Sequence, residues 1–203
     1  MLDLNGSIKL GDDIYVFPNF IYKEECLNIV NSIELIPEEL WVGKFNEGGQ
    51  GYEIAYTPVA QIEEINNRLI SILDDGVNLG WSLAPTRMKM GHIGPHHSDN
   101  FDFLKTLDAS KNLKDNEDFD MAENNIAGII MYFNDFEGGE LHYSNQNISY
   151  KPKAGDLLIH SSQEHCKHQV QMVESKVRYS HSSHLFNMIR VPKGYMLKEP
   201  DYV

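Results

Sequence analysis

The sequence predicts a mainly β fold of the α+β class, a sandwich or barrel of short strands buttressed by N-terminal helices. Two observations predict it. Helical periodicity is confined to the residues before Thr86, and from Thr86 onward short apolar runs alternate with turn residues. No internal repeat is evident, and 203 residues suffice to bury one large core. The simplest organisation is therefore a single domain, residues 1–203, with a helical buttress over about 1–85 and a β core over about 86–187.

Taken in order, Ile14 to Phe20 reads as a short strand broken at Pro18-Asn19. Lys23 to Leu35 carries apolar residues at Cys26, Leu27, Ile29, Val30 and Ile33, with Glu24 and Glu25 in the first turn, where the helix dipole favours acid. Gly43 to Gly51 (GKFNEGGQG) reads as a glycine-rich insertion; it lacks the Gly-Lys-Ser/Thr ending of a phosphate loop, which argues against nucleotide binding. A second helix has Thr57 as N-cap, Pro58 at its first position, Ile62, Ile65, Leu69 and Leu73 on one face, and Gly76 as its stop. Both helices are expected on the outside of a sheet.

The strand candidates are Thr86–Met90, Pro95–Asn100, Ala127–Phe133, Glu140–Tyr143, Asn147–Tyr150, Asp156–His160, His168–Val173 and Val177–Asn187. Between the second and third lies Asn100 to Asn125, a long, charged and mostly acidic stretch. It reads equally as a substrate lid or as a solvated loop.

Composition removes several functions. The chain carries 17 basic against 30 acidic residues, a formal charge of −13, which disfavours general nucleic-acid binding. Two cysteines, Cys26 and Cys166, give no disulfide framework. The start MLDLNGSIKL has no basic segment followed by an apolar core, and no apolar run approaches the roughly 20 residues that span a bilayer. A cytoplasmic protein with no membrane partner is expected.

The chemistry is concentrated in four residues: His97 and Asp99 in GPHHSDN, His168 in EHCKHQVQ, and Arg178 ten residues beyond. Residues i and i+2 of an extended segment share a face, so His97 and Asp99 can grip one ion, and His168 completes two nitrogens and a carboxylate. Such a set leaves positions open and suits ferrous iron used with oxygen better than structural zinc, which prefers a closed shell of four. His96 and His165 are the competing histidines; His96 does not share the face of Asp99, and His165 precedes its strand. Arg178 offers a planar fork of donors to a carboxylate. Its strand places Arg178, Ser180, Ser182, His184 and Phe186 on one face, a polar lining suited to a small acid.

These residues, with Tyr132-Phe133-Asn134, Gly138-Gly139-Glu140 and Pro152-Lys153-Ala154-Gly155 leading into Leu157-Leu158-Ile159, stand in an order that resembles the iron(II)- and 2-oxoglutarate-dependent dioxygenases, in their prolyl 4-hydroxylase-like branch. The resemblance runs from about Thr86 to Phe186. It implies a double-stranded β-helix, the jelly-roll arrangement of cupins. It implies Fe(II) on His97, Asp99 and His168, which form the catalytic centre. It also implies 2-oxoglutarate as co-substrate, with its distal carboxylate on Arg178 and Tyr132, O2 as oxidant, and ascorbate as an optional reductant. One departure stands out. The family often carries a tyrosine about seven residues before the first metal histidine, whereas Met90 falls near that place here; His184, where a bulky aromatic is common, is the candidate to compensate as a cofactor-binding residue.

The activity implied by the resemblance is hydroxylation of a C–H bond, with a prolyl residue of a peptide or protein as the leading substrate and release of succinate and CO2. An aspartate at position 99 agrees with hydroxylation, since halogenating relatives replace it with a small residue. A small-molecule substrate is the second choice. Two rival readings are a nucleic-acid dealkylating oxygenase, disfavoured by the charge and by His184 where a second arginine is usual, and a non-catalytic metal-binding cupin-like domain, disfavoured by the Arg178 face.

Overall fold

The computed structural model describes residues 6–73, 77–79, 84–99 and 125–187. A first hairpin joins β1 (Ile8–Gly11) to β2 (Ile14–Phe17) through Asp13, whose left-handed backbone (φ 57°) is one that aspartate tolerates better than most residues. Helix α1 (Lys23–Glu34) comes next. Glu25 accepts the Tyr22 amide at its N-terminus (2.8 Å) and also pairs with Arg68 of the second helix. Cys26, Ile29 and Ile33 are buried but Leu27 is 59 % exposed, because it lies on the opposite side of the helical turn from Ile29. The buried stripe is narrower than the sequence suggested.

A 3-10 turn over Glu38–Leu40 leads into a second hairpin, β3 (Trp41–Phe45) and β4 (Gly51–Ala55). The glycine-rich Gly43–Gly51 stretch is thus part of a hairpin and not an insertion. At its tip, Asn46 Oδ1 accepts the amides of Gly48 and Gln50, each at 3.0 Å. Helix α2 (Ala60–Ile72) begins later than expected, with Val59 and not Thr57 at the cap position and no side-chain cap. Pro58 disfavours helical backbone in the residue before it, so Thr57 stays outside the helix. Ile62, Ile65, Leu69 and Leu73 are all buried. Gly76 and the stretch from Asn100 to the residue before Asn125 lie outside the described residues.

The remaining strands are β5 (Val77–Leu79), β6 (Thr86–Met88), β7 (Asn125–Tyr132), β8 (Glu137–Gly138), β9 (Leu141–Tyr143), β10 (Ile148–Tyr150), β11 (Leu157–Ser161), β12 (His168–Val170), β13 (Val173–Ser175) and β14 (Arg178–Asn187). The expected strand Pro95–Asn100 does not form; its one ladder contact is an isolated bridge between His97 and His168. The expected strand His168–Val173 is divided, β12 pairing with β9 and β13 with β8.

Among the described residues nine strands form one sheet in the order β1-β2-β11-β7-β14-β6-β4-β3, with β5 added to β14, and β10-β9-β12 form a smaller sheet. Side chains alternate across β7, β11 and β14, so β7 and β11 contribute to two cores and β14 to the outer one. Ile129, Met131, Leu157, Ile159 and Leu185 face outward and pack with α1 and α2 through Ile29, Ile33, Ile62, Ile65 and Leu69. Ile130, Tyr132 and Leu158 face inward and pack with Leu141 and Tyr143 of the smaller sheet. Two antiparallel sheets closed over this inner core, with helices outside, make the double-stranded β-helix. No helix among the described residues is long and apolar enough to cross a membrane.

Candidate active site

The inner face of the large sheet is apolar on β2 and becomes polar toward β14. Register places His160 of β11, Gly128 of β7 and His184 of β14 in one row across three adjacent strands. At the other end of the same face, Ser180 pairs with Tyr132, and Arg178 pairs with Met88 of β6. The row of histidines and the arginine are therefore two ends of one surface. Ser182, on the same face between them, is exposed, so the surface is open there.

At the histidine end, His97, Asp99 and His168 bring one ligand atom each to within 4.8 Å of one another. His97 Nδ1 lies 3.0 Å from the Pro95 carbonyl and His168 Nδ1 lies 3.1 Å from the Cys166 carbonyl. Each imidazole thus donates its Nδ1–H to a carbonyl two residues earlier, which makes Nε2 the nitrogen that can ligate, on His97 by exchanging its proton toward Asp99 Oδ1, 3.3 Å away, for a metal ion. Burial pushes His168 down to about 3, so it stands neutral and ready to ligate. Burial pulls His97 the same way, but its hydrogen bond to Asp99 and the charge of Asp99 outweigh that and hold its pKa above the ordinary value. Burial likewise opposes ionisation of Asp99, and hydrogen bonds from His160 and His97 overcome it, holding the carboxyl well below its usual range.

Although no strand carries Asp99, two groups fix it. The Asn125 side-chain amide donates to its backbone carbonyl at 2.6 Å, and His160 Nε2 meets its Oδ2 at 2.8 Å. His160 is 1 % exposed, and its Nδ1 lies 2.7 Å from the Tyr143 hydroxyl. Gly128 makes room for this pair: a Cβ built on it would fall 2.0 Å from Asp99 Oδ2 and 2.5 Å from His160 Nε2. His160, Tyr143, Gly128 and Asn125 were not singled out by the sequence. The one available signal was a histidine on the Leu158 face of an otherwise apolar strand.

The two competing histidines stand apart from the triad. His96 is exposed, 2.9 Å from Ser144 Oγ, and His165 lies at the surface, 3.0 Å from Asp13. His184 is part-buried beside the triad, with Nδ1 3.4 Å from the Asn125 amide nitrogen, and burial lowers its pKa. Register puts it at the triad end of the face, away from Arg178.

At the other end Arg178 is 4 % exposed and has no carboxylate partner among the described residues. Its Nη1 donates to Ser180 Oγ at 3.1 Å, and Ser180 Oγ is 2.9 Å from Thr86 Oγ1, whose own proton reaches the Ser180 carbonyl at 3.0 Å. The guanidinium lies 5.1 Å from the Tyr132 ring centroid and 5.7 Å from that of Phe136. Arg178 Nε and the Tyr132 hydroxyl are buried without hydrogen-bond partners. Burial pushes the Tyr132 phenol up, with the nearby Arg178 charge opposing. Buried orphan donors are rare because each costs roughly 1–3 kcal/mol, so two of them, one on the guanidinium itself and one on the phenol beside it, can receive an anion. Met88, whose Sδ is 3.5 Å from Arg178, lines this receptor; Met90, the residue expected there from the sequence, is 71 % exposed. The pairing of Met88 with Arg178 turns the residue two positions earlier onto the pocket face, and Met90 lies in the turn beyond the strand.

Chemically, one end can hold a divalent ion with part of its shell open, and the other can hold a carboxylate. A family model described as "2OG-Fe(II) oxygenase superfamily" matches residues 84–185. Among curated proteins no match is found. Solved structures with a similar fold include a viral collagen prolyl hydroxylase from Paramecium Bursaria Chlorella virus-1 in complex with 2OG, at 18 % identity over 87 % of this chain and 96 % of that one, TM-score 0.57. A prolyl hydroxylase from Trichoplax adhaerens, with a hypoxia inducible factor peptide fragment, shows 14 % identity over 87 % and 84 %, TM-score 0.60. A prolyl-4-hydroxylase from Pseudomonas putida shows 15 % identity over 86 % and 92 %, TM-score 0.57. At these identities the likeness is one of fold.

Proposed function

The chain belongs to the 2OG-Fe(II) oxygenase superfamily and is a dioxygenase using Fe(II), 2-oxoglutarate and O2; from that premise we propose that it hydroxylates a prolyl residue of a peptide or protein. The observation that carries the residue assignment is the placement of an open-sided ligand set and a buried, unpaired arginine on one sheet face. Both groups fit what they would hold. Two imidazole nitrogens and one carboxylate suit Fe(II) while leaving positions free for a chelating co-substrate and O2. The orphan Arg178 Nε and Tyr132 hydroxyl suit the distal carboxylate of 2-oxoglutarate.

In this reading His97, Asp99 and His168 hold the iron, and Arg178 with Tyr132 receives the far carboxylate. The Ser180–Thr86 chain keeps Arg178 from rotating away. Met88, Phe136 and the Tyr132 ring exclude water around it, which strengthens the ion pair. His184, in the same row as His160 and Gly128, would be the residue of this face nearest the iron end of the co-substrate. When bound, the iron and 2-oxoglutarate together supply the oxidation, in which decarboxylation to succinate and CO2 accompanies insertion of one oxygen atom into a C–H bond. The prolyl substrate draws its support from the fold likeness to prolyl hydroxylases.

The test is an anaerobic titration with Fe(II) and 2-oxoglutarate, followed by aerobic turnover with proline-containing peptides and their alanine counterparts. Succinate release with a mass gain of one oxygen on the proline peptide alone is expected. Succinate release with no peptide oxidised at proline overturns the prolyl assignment, and failure to bind both ligands overturns the site.

A further inference from the structure

We propose that His160 is the positioning residue of the metal centre, fixing Asp99 through one carboxylate oxygen and itself fixed by Tyr143. This rests on the metal centre proposed above. Three strands of two different sheets converge on the arrangement: β11 supplies His160, β9 supplies Tyr143 and β7 supplies Gly128. His160 pairs across β11 with Ile14 on one side and Gly128 on the other, and Leu158 lies two residues away on the same face. An apolar residue there would pack without a polar group to satisfy. The histidine is instead bonded at both nitrogens, to Asp99 Oδ2 at 2.8 Å and to Tyr143 at 2.7 Å.

Donors and acceptors assign the tautomer. An ionised Asp99 accepts only, so Nε2 carries the proton; Nδ1 then accepts, and the Tyr143 hydroxyl donates to it. The chain of bonds runs Tyr143 to His160 to Asp99 in one direction. It occupies Oδ2 and leaves Oδ1, which lies 3.3 Å from His97 Nε2, facing the triad. Asp99 sits in a segment with no strand ladder of its own beyond the His97 bridge, so its carboxylate lacks the support that β12 gives His168. His160 supplies that support. A carboxylate held by one oxygen presents a single ligand atom and keeps the neighbouring positions open. Outer partners of this kind typically alter metal affinity by about 10–100-fold when removed.

The experiment uses the full chain stripped of metal and titrated with Mn(II) without oxygen or co-substrate, free Mn(II) being read by electron paramagnetic resonance. His160→Phe fills the ring volume and removes the donor; it should weaken Mn(II) by about 10–100-fold. His160→Gln keeps an N–H donor and should recover most of the loss. Tyr143→Phe leaves Asp99 its donor but frees the ring, and should weaken binding less than His160→Phe. Circular dichroism checks that each variant is folded, and if His160→Phe is not, Tyr143→Phe and His160→Gln decide. Wild-type affinity in His160→Phe, or in Tyr143→Phe where that variant decides, overturns the proposal, as does a His160→Gln variant no tighter than His160→Phe. Absence of Mn(II) uptake by the wild-type chain overturns the metal centre itself and this role with it.

Discussion

The backbones of His97 and His168 exchange two hydrogen bonds, His97 N–H to the His168 carbonyl at 3.0 Å and His168 N–H to the His97 carbonyl at 2.8 Å. Two residues far apart in the chain are thereby aligned by main chain alone, with ring centroids 4.6 Å apart. The imidazoles are held together by this backbone pairing and need no other contact to stand side by side. Preorganisation of this kind spares the protein the entropy of gathering ligands when metal arrives.

That alignment sets the first prediction. Alanine at His97, Asp99 or His168 should each abolish tight Fe(II) binding in an anaerobic titration, because two ligands hold a divalent ion far more weakly than three. His165→Ala should bind as wild type, since His165 faces Asp13 at the surface. Loss of iron in His165→Ala with retention in His168→Ala would reverse the assignment.

The proposed role of Arg178 toward the co-substrate sets the second prediction. Arg178→Ala should weaken 2-oxoglutarate by on the order of 10–100-fold, as expected from about 1.5–3 kcal/mol for a charge-assisted bond, and leave Fe(II) affinity unchanged. Arg178→Lys should recover part of this, a point charge lacking the planar fork. Competition calorimetry separates the two ligands, and equal 2-oxoglutarate affinity in the alanine variant removes Arg178 from the receptor.

Gly128→Ala isolates close packing from chemistry. The new methyl would stand 2.0 Å from Asp99 Oδ2, a distance no real contact sustains, so the Asp99–His160 pair must separate. Metal affinity should fall by at least the loss seen for His160→Phe, with the outer, helix-facing core unaffected. An alanine variant with normal Fe(II) binding means that Asp99 has slack the structure does not show.

His181 sets an acid limit. It is fully buried on the helix side of β14, its Nδ1 donates to the Ala84 carbonyl at 3.2 Å, and burial pushes it down to about 4. With its unfolded value near 6.5, the unfolded chain binds the extra proton between those limits. The stability it contributes is therefore complete above about pH 6.5 and is lost as pH falls toward 4, with a slope of at most about 1.4 kcal/mol per pH unit. The Tm of the metal-free protein should fall over that range, and less steeply in His181→Met. Parallel curves for the two proteins contradict the burial argument.

The second half of the chain was legible because its strands alternate and its turns carry Gly, Pro and Asn. Strand β11, read as Asp156–His160, and β14, read as Val177–Asn187, fall within a residue of the observed limits. The hairpin of β3 and β4 was not legible. Strand β3 is an edge with all but Trp41 exposed, so it has no buried face to impose alternation, and its glycines read as a loop. Helix α2 was found by its apolar face but misplaced at its start, where Thr57 and Pro58 form an entry segment. Within the site, residues named for their own chemistry were visible: His97, Asp99, His168, Arg178 and Tyr132. Those that act by position were not. Gly128 matters for the side chain it lacks, and His160 for a partner contributed from a segment with no strand of its own; neither relationship exists until the sheets are assembled.

The strand order of the large sheet also bears on how the molecule is made. The early hairpins β1–β2 and β3–β4 lie at opposite edges, and of the four strands between them, β11, β7, β14 and β6, the first three come from residues after Asn124. A chain emerging from the ribosome can therefore add β6 to the second hairpin early and β7 and β11 to the first later, but the two halves stay apart until β14, which pairs with both β7 and β6, has been synthesised. Pairings so distant in sequence close large loops before any contact compensates, which slows folding and prolongs exposure of apolar surface. Arg178 belongs to the strand that completes the sheet, so the site and the fold mature in the same late event. A nascent chain arrested before Arg178 should be fully sensitive to protease, and one arrested well beyond Asn187 should be protected.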